Sequence, residues 1–98
     1  MITTICLNPC FDKTVNVERL LPGQVNRIRD ARVDLGGKGI NVAVVAGRLG
    51  LDAQCLGIMG ESGAADLTSM MNRENLKHHF QIVPGHVRTN LKVCSSDG

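Results

Sequence analysis

The chain has 98 residues, 43% of them hydrophobic and 20% charged, with a formal net charge of +2, the size of one small domain or part of a larger one, with a thin core. No stretch approaches the ~18–20 apolar residues of a membrane span, and the opening MITTICLNPC has neither the basic n-region nor the cleavage site of a signal peptide. Four cysteines without a secretion signal fit free thiols in a reducing cytoplasm, and a balanced charge with no Lys/Arg run leaves no footprint for nucleic acid.

Residues Ile2 to Leu7 are β-branched and apolar, and Asn8-Pro9 breaks them, which predicts a strand opening into a loop. From Thr14 to Glu18 apolar and polar residues alternate, with Val15 and Val17 on one face, and Pro22-Gly23 marks a turn. A second alternating run follows, with Ala31, Val33 and Leu35 on one face and Asp30, Arg32 and Asp34 on the other. Two half-exposed strands joined by a turn predict a small antiparallel flap beside a main sheet.

Gly36-Gly37-Lys38-Gly39 precedes an apolar run from Ile40 to Leu49 closed by Gly50, which predicts a helix with Gly50 at C′. Apolar on most faces, this helix is expected to be buried, with Gly47 packing closely on a sheet. Ala53 to Met59 reads as a second core strand, Gly60 to Gly63 as a loop, and Ala64 to Leu76 as a helix facing inward through Leu67, Met70 and Met71. Phe80 to Val83 reads as a short strand ended by Pro84-Gly85, and Thr89 to Cys94 as an alternating strand. The closing Ser95-Ser96-Asp97-Gly98 is a hairpin-turn signal with no second strand after it, so the chain is expected to stop in mid-fold.

The chemistry concentrates in Gly36 to Asn41. Glycines at a helix start let a ligand approach the backbone closely, the first helical N–H groups have no internal partners, and Lys38 adds a mobile positive charge. A turn that only lets the helix pack closely is the plainer alternative, but packing alone does not call for the lysine. A P-loop would need a glycine at Arg32 and Ser or Thr at Gly39, and a dinucleotide fingerprint would need Gly or Ala at Val42. The segment is neither.

GGKGINVAVVAGRLG resembles the first signature of the ribokinase-like, or PfkB-type, sugar kinases: a Gly-Gly-Lys-Gly loop, one residue, Asn-Val-Ala, and a helix ending Arg-Leu-Gly. CLNPCFDKTV is similar to that family's opening strand followed by Asn-Pro-x-x-Asp, and GHVRTNLKV to its later Gly-x-x-Arg-x-Asn strand. VNRIRDARVDLGGKG looks most like the branch acting on fructose 1-phosphate and tagatose 6-phosphate. The resemblance runs through the whole chain but corresponds only to the opening part of a family member.

It implies an α/β fold, a ribokinase-like three-layer, Rossmann-like sheet with a small β-lid, incomplete here. Residues 1–98 would be the N-terminal part of one kinase domain, with lid segments at about 14–35 and 89–94. Asp12 matches the aspartate that accepts hydrogen bonds from sugar hydroxyls, and Gly37 and Asn41 match sugar-contacting positions. Lys38 and Arg88 match positions near the substrate's phosphate, with Arg27 approaching it from the flap. Without the motifs, Asp12 could be a loop or cap residue and Arg88 a solvated charge. Gly57 to Gly63 resembles the family's second glycine loop, one residue shorter.

The resemblance further implies a cytoplasmic carbohydrate kinase that uses ATP and Mg2+, takes fructose 1-phosphate, and in many members dimerises through the lid. Its catalytic base lies in a Gly-x-Gly-Asp loop that these 98 residues lack. The chain alone is therefore expected to carry the sugar half of the site and no catalytic residue. A non-catalytic sugar-phosphate binding remnant, or a fragment that pairs with another chain, stays open beside this. Cys6, Cys10 and the histidines at 78, 79 and 86 do not have zinc-finger spacing, so no metal ligand is expected, and Cys55 and Cys94 read as small core residues.

Overall fold

The computed structural model of the chain describes residues 1–95, so the turn expected at Asp97-Gly98 lies outside the described residues. The element order is β1 (Ile2–Cys6), β2 (Cys10–Val17), β3 (Ile28–Gly36), α1 (Lys38–Arg48), β4 (Ala53–Ser62), α2 (Ala64–Arg73), β5 (Lys77–His86) and β6 (Arg88–Ser95). They form two three-stranded sheets, one ordered β1-β4-β5 and the other β3-β2-β6. The first is parallel throughout, as βαβ crossovers require. In the second, β2 runs antiparallel to β3 and parallel to β6. This is the α/β sheet with a small β-lid read from the sequence.

Both helices pack on the first sheet. Ile40 and Ala43 of α1, Leu67 and Met71 of α2, and Cys6, Cys55, Met59 and Leu76 form the core. Burying a side chain such as Ile40 or Leu67 contributes roughly 1.5–3 kcal/mol. Phe11 and Leu35 from the lid pack against this cluster, tying the base of the small sheet to the body. The Thr4 hydroxyl donates to the Gly39 carbonyl at 2.6 Å. A Cβ at Gly39 would sit 2.5 Å from the Ile5 carbonyl oxygen, so the start of α1 lies directly on the β1 backbone.

Several expectations need correction. Helix α1 buries one face only: Ile40, Ala43 and Ala46 point inward, while Val42 and Val45 are more than half exposed. Gly47 touches nothing that a Cβ would meet, so it makes no close contact with the sheet. The loop expected at Gly60–Gly63 is extended, because β4 pairs with β5 as far as Ser62 through a register shift. Pro84-Gly85 does not end β5, which continues to His86. An edge strand tolerates a proline, whose missing N–H costs no ladder bond on the open side.

Helix α2 stops at Arg73 instead of reaching Leu76. Asn75 takes a left-handed φ of 55°, and the Leu76 N–H donates back to the Met71 carbonyl at 3.1 Å. Gly50 closes α1 in the same way, as expected for C′, with φ of 83° and the Leu51 N–H donating to the Ala46 carbonyl. Among the described residues no helix is long and apolar enough to cross a membrane.

Candidate sugar-phosphate site

Strand β2 starts at Cys10, so Asp12 stands on a strand and not in the loop after β1. That sets its direction. Side chains alternate along a strand, so Cys10, Asp12, Thr14 and Asn16 share one face of the lid, opposite Phe11, Lys13, Val15 and Val17. The pairings build rows across this polar face. Gly36, Cys10 and Arg88 form the row next to the body, and Asp34, Asp12 and Asn90 form the next one.

Within these rows the side chains are connected. Asn90 Nδ2 donates to Asp12 Oδ1 at 3.2 Å, and Arg88 Nη1 donates to Asn90 Oδ1 at 2.9 Å. Cys10 Sγ lies 3.7 Å from the same Asp12 oxygen. Burial, and then the Asp12 charge, push the Cys10 thiol above its ordinary value of 9.0, while Arg88 pulls the other way. A Cβ added to Gly36 would lie 2.9 Å from Asp12 Oδ2, so the half-buried carboxylate rests on the glycine.

The glycine loop continues from there into α1. Gly37 is the N-cap with φ of 114°, a conformation strained for any side chain. No side chain caps the helix, and its first turn contains no acidic residue. The first N–H groups are therefore open, and Lys38 adds its charge to the positive end of the helix dipole. A lysine there is unfavourable for the helix and favourable for an anion. Asn41 lies on the exposed side of α1, lining a cavity of about 410 Å³ with Asp34, Leu35 and Val44.

The fold thus brings Asp12, Gly37, Lys38 and Arg88 to one end of the lid, with Asn41 about one turn into the adjoining helix. It does not bring Arg27 there. Arg27 precedes β3, whose nine residues end at Gly36, a strand length of about 30 Å. Its surroundings are Glu18, Arg19, Leu21 and Arg29 around a separate cavity of about 470 Å³. Glu61 and Ser62 end β4, and the Ser62 carbonyl accepts from the N–H of Val87, the neighbour of Arg88 in the chain, at 2.9 Å.

Sequence reasoning named Asn90, Cys10 and Asp34 but gave none of them a part in the sugar-phosphate site, which the structure adds. Asn90 was legible, because it alternates with Arg88 and so shares its face. Asp34 faces Asp12 directly across the β2–β3 pair, two like charges at opposed positions, which costs stability in a sheet. The Arg32 Nε–H donates to Asp34 Oδ2 at 2.8 Å and offsets part of that repulsion. Nothing in the sequence alone fixes this register.

Residues 5–98 match the family described as pfkB family carbohydrate kinase. A 1-phosphofructokinase of Xanthomonas campestris is 39% identical over 93 residues, which cover 95% of this chain and 29% of the relative. One from Escherichia coli K12 is 32% identical over 97 residues, covering 99% of this chain and 31% of the relative. The chain therefore spans about three-tenths of the length of these relatives. Among solved structures, Escherichia coli phosphofructokinase-2 in complex with fructose-6-phosphate superposes with a TM-score of 0.88 at 27% identity, over 98% of this chain and 32% of that one.

Proposed function

The chain belongs to the pfkB family of carbohydrate kinases, and we propose that it carries the sugar-phosphate half of a kinase site that phosphorylates fructose 1-phosphate on its 6-hydroxyl, giving fructose 1,6-bisphosphate. The observation that carries this reading is the Asp12 carboxylate, held by Asn90 against Gly36, with Arg88 hydrogen-bonded to that asparagine and Lys38 two residues along the chain from the glycine. A carboxylate accepts hydrogen bonds from a polyol, and a lysine and an arginine suit a phosphate dianion. The relatives named 1-phosphofructokinase favour fructose 1-phosphate as the acceptor; tagatose 6-phosphate is the competing substrate.

Asp12 orients the ring through its hydroxyls, Gly37 lets the sugar reach the backbone, and Asn41 supplies a further polar contact. Lys38 and the open N–H groups of α1 meet the phosphate from one side and Arg88 from the other. Arg27 reaches such a site only from another copy of the chain or through movement of the flap. The face of the lid opposite Asp12 is suited to a homodimer contact: Val33 is 46% exposed, Leu91 64% and Val93 47%, an apolar strip beside the buried Val15 and Val17.

Phosphoryl transfer from ATP is mostly positioning and charge neutralisation, with Mg2+ assisting at the phosphates. Among the described residues no group of three His, Cys, Asp or Glu is arranged to hold a metal ion. In this reading ATP and Mg2+ are held by other residues of the kinase, and the part of this segment is to bind and orient the acceptor. The 98 residues by themselves are then a binding unit and transfer nothing. Calorimetric titration of the chain with fructose 1-phosphate tests this. Saturable binding, weakened at least tenfold by Asp12→Asn and by Arg88→Ala, supports the reading. Equal affinity for fructose and fructose 1-phosphate overturns the phosphate contacts, and ADP formation by the chain alone overturns the half-site.

A further inference from the structure

We propose that Cys10 is a positioning residue for Asp12: its thiol holds one carboxylate oxygen so that the other is presented at the glycine loop. The inference rests on the reading of Asp12 as the sugar ligand. Cys10 is 1% exposed, yet its sulfur does not face hydrocarbon alone. Sγ lies 3.7 Å from Asp12 Oδ1, and Asn90 Nδ2 lies 3.5 Å from Sγ and 3.2 Å from that same oxygen. A thiol has one proton to give and a weak acceptor sulfur. Here the proton goes to Asp12 and the sulfur accepts from Asn90, which closes a triangle on Oδ1.

Gly36 makes the triangle fit. A Cβ there would stand 2.4 Å from Cys10 Sγ and 2.9 Å from Asp12 Oδ2, so the sulfur and the free oxygen both occupy space that any other residue would fill. Burial and the adjacent carboxylate keep the thiol protonated, which preserves it as a donor at neutral pH. Cys55 is the internal contrast. It is equally buried, but its sulfur lies 3.9 Å from the neighbouring Leu56 carbonyl and interacts with the Thr4 hydroxyl, with no carboxylate among these partners. An apolar residue at position 10 would fill the same volume and leave Oδ1 to Asn90 alone.

Two readouts on the chain test this. In the Raman spectrum, the S–H stretch assigned to Cys10 by its loss in Cys10→Ala should lie at lowered frequency and rise in Asp12→Asn, while Cys55→Ala leaves it unmoved. In calorimetric titration, Cys10→Ala and the space-filling Cys10→Val should both weaken fructose 1-phosphate binding about three- to tenfold, and Cys10→Ser should restore it to within about twofold. A band indifferent to Asp12→Asn, or Cys10→Val binding as tightly as the unsubstituted chain, overturns the proposal. If the unsubstituted chain binds no fructose 1-phosphate, the functional reading fails, and the S–H band alone still decides whether Cys10 holds Asp12.

Discussion

Asn90 donates a hydrogen bond of 3.2 Å to Asp12, a residue 78 positions earlier in the chain. The parallel pairing of β6 with β2 brings them together, since Asp12 and Asn90 are direct register partners. The same asparagine accepts from Arg88 at 2.9 Å, so one amide links the residue assigned to the sugar hydroxyls with one assigned to the phosphate. Asn90→Ala should therefore weaken fructose 1-phosphate binding about three- to tenfold with little change in thermal midpoint, because the side chain is exposed. Asn90→Asp should be worse than the alanine variant, since it places a second negative charge against Asp12. Titration of both variants checks the order.

Gly36→Ala should damage folding and binding together. Its Cβ would collide with Cys10 Sγ at 2.4 Å and with the Asp12 carboxyl at 2.9 Å. Overpacking of this kind costs about 1–3 kcal/mol, read as a lowered urea midpoint. Because the clash displaces Asp12 itself, sugar-phosphate affinity should fall by more than tenfold.

Gly50→Ala separates stability from binding. Gly50 has φ of 83° with open space around it, so an added methyl meets no atom and only the backbone is strained. That strain costs about 1–2 kcal/mol. The denaturation midpoint should drop while the affinity of the folded fraction stays unchanged. A change in affinity equal to that of Gly36→Ala would mean that neither substitution reports on the site.

Acid stability should depend on His78. Burial, and then His79, lower its imidazole below the ordinary 6.5, while Asn72 faces its Nε2 at 2.8 Å. The unfolded chain gains a proton at His78 before the folded chain does, so stability is complete above about pH 6.5 and is lost as pH falls through the depressed value. Asp52, lowered from 3.8 chiefly by its hydrogen bond from Lys77, adds a second loss at more acid pH. Thermal midpoints should decline between pH 7 and pH 5, and His78→Gln should flatten that slope. At the alkaline end the raised Cys10 and Cys55 thiols should cost stability as pH rises past about 9, where unfolded thiols ionise first.

Much of the fold was legible in residue types. Glycines at 36, 37 and 39 with an apolar run behind them marked the ligand-ready start of α1, and Gly50 marked its end. Alternation in the lid strands placed Val15 and Val17 on one face before any pairing was known. Register was not legible: no local pattern tells that Asp34 faces Asp12 or that Asn90 stands beside it, because those neighbours are fixed by pairing between distant segments. Pro84 misled because a proline ends a central strand but not an edge strand, and edge position is a property of the whole sheet. The apolar residues Val42 and Val45 read as buried because composition cannot say which side of a helix a neighbour covers.

The most direct test of the sugar-phosphate half-site is an amide NMR spectrum of the labelled chain titrated with fructose 1-phosphate. Shifts concentrated at Cys10 to Asp12, Gly36 to Asn41 and Arg88 to Asn90, and absent in Asp12→Asn, are the result this account predicts. A folded chain whose spectrum does not move, or moves only around Arg27 and the outer lid, would contradict it.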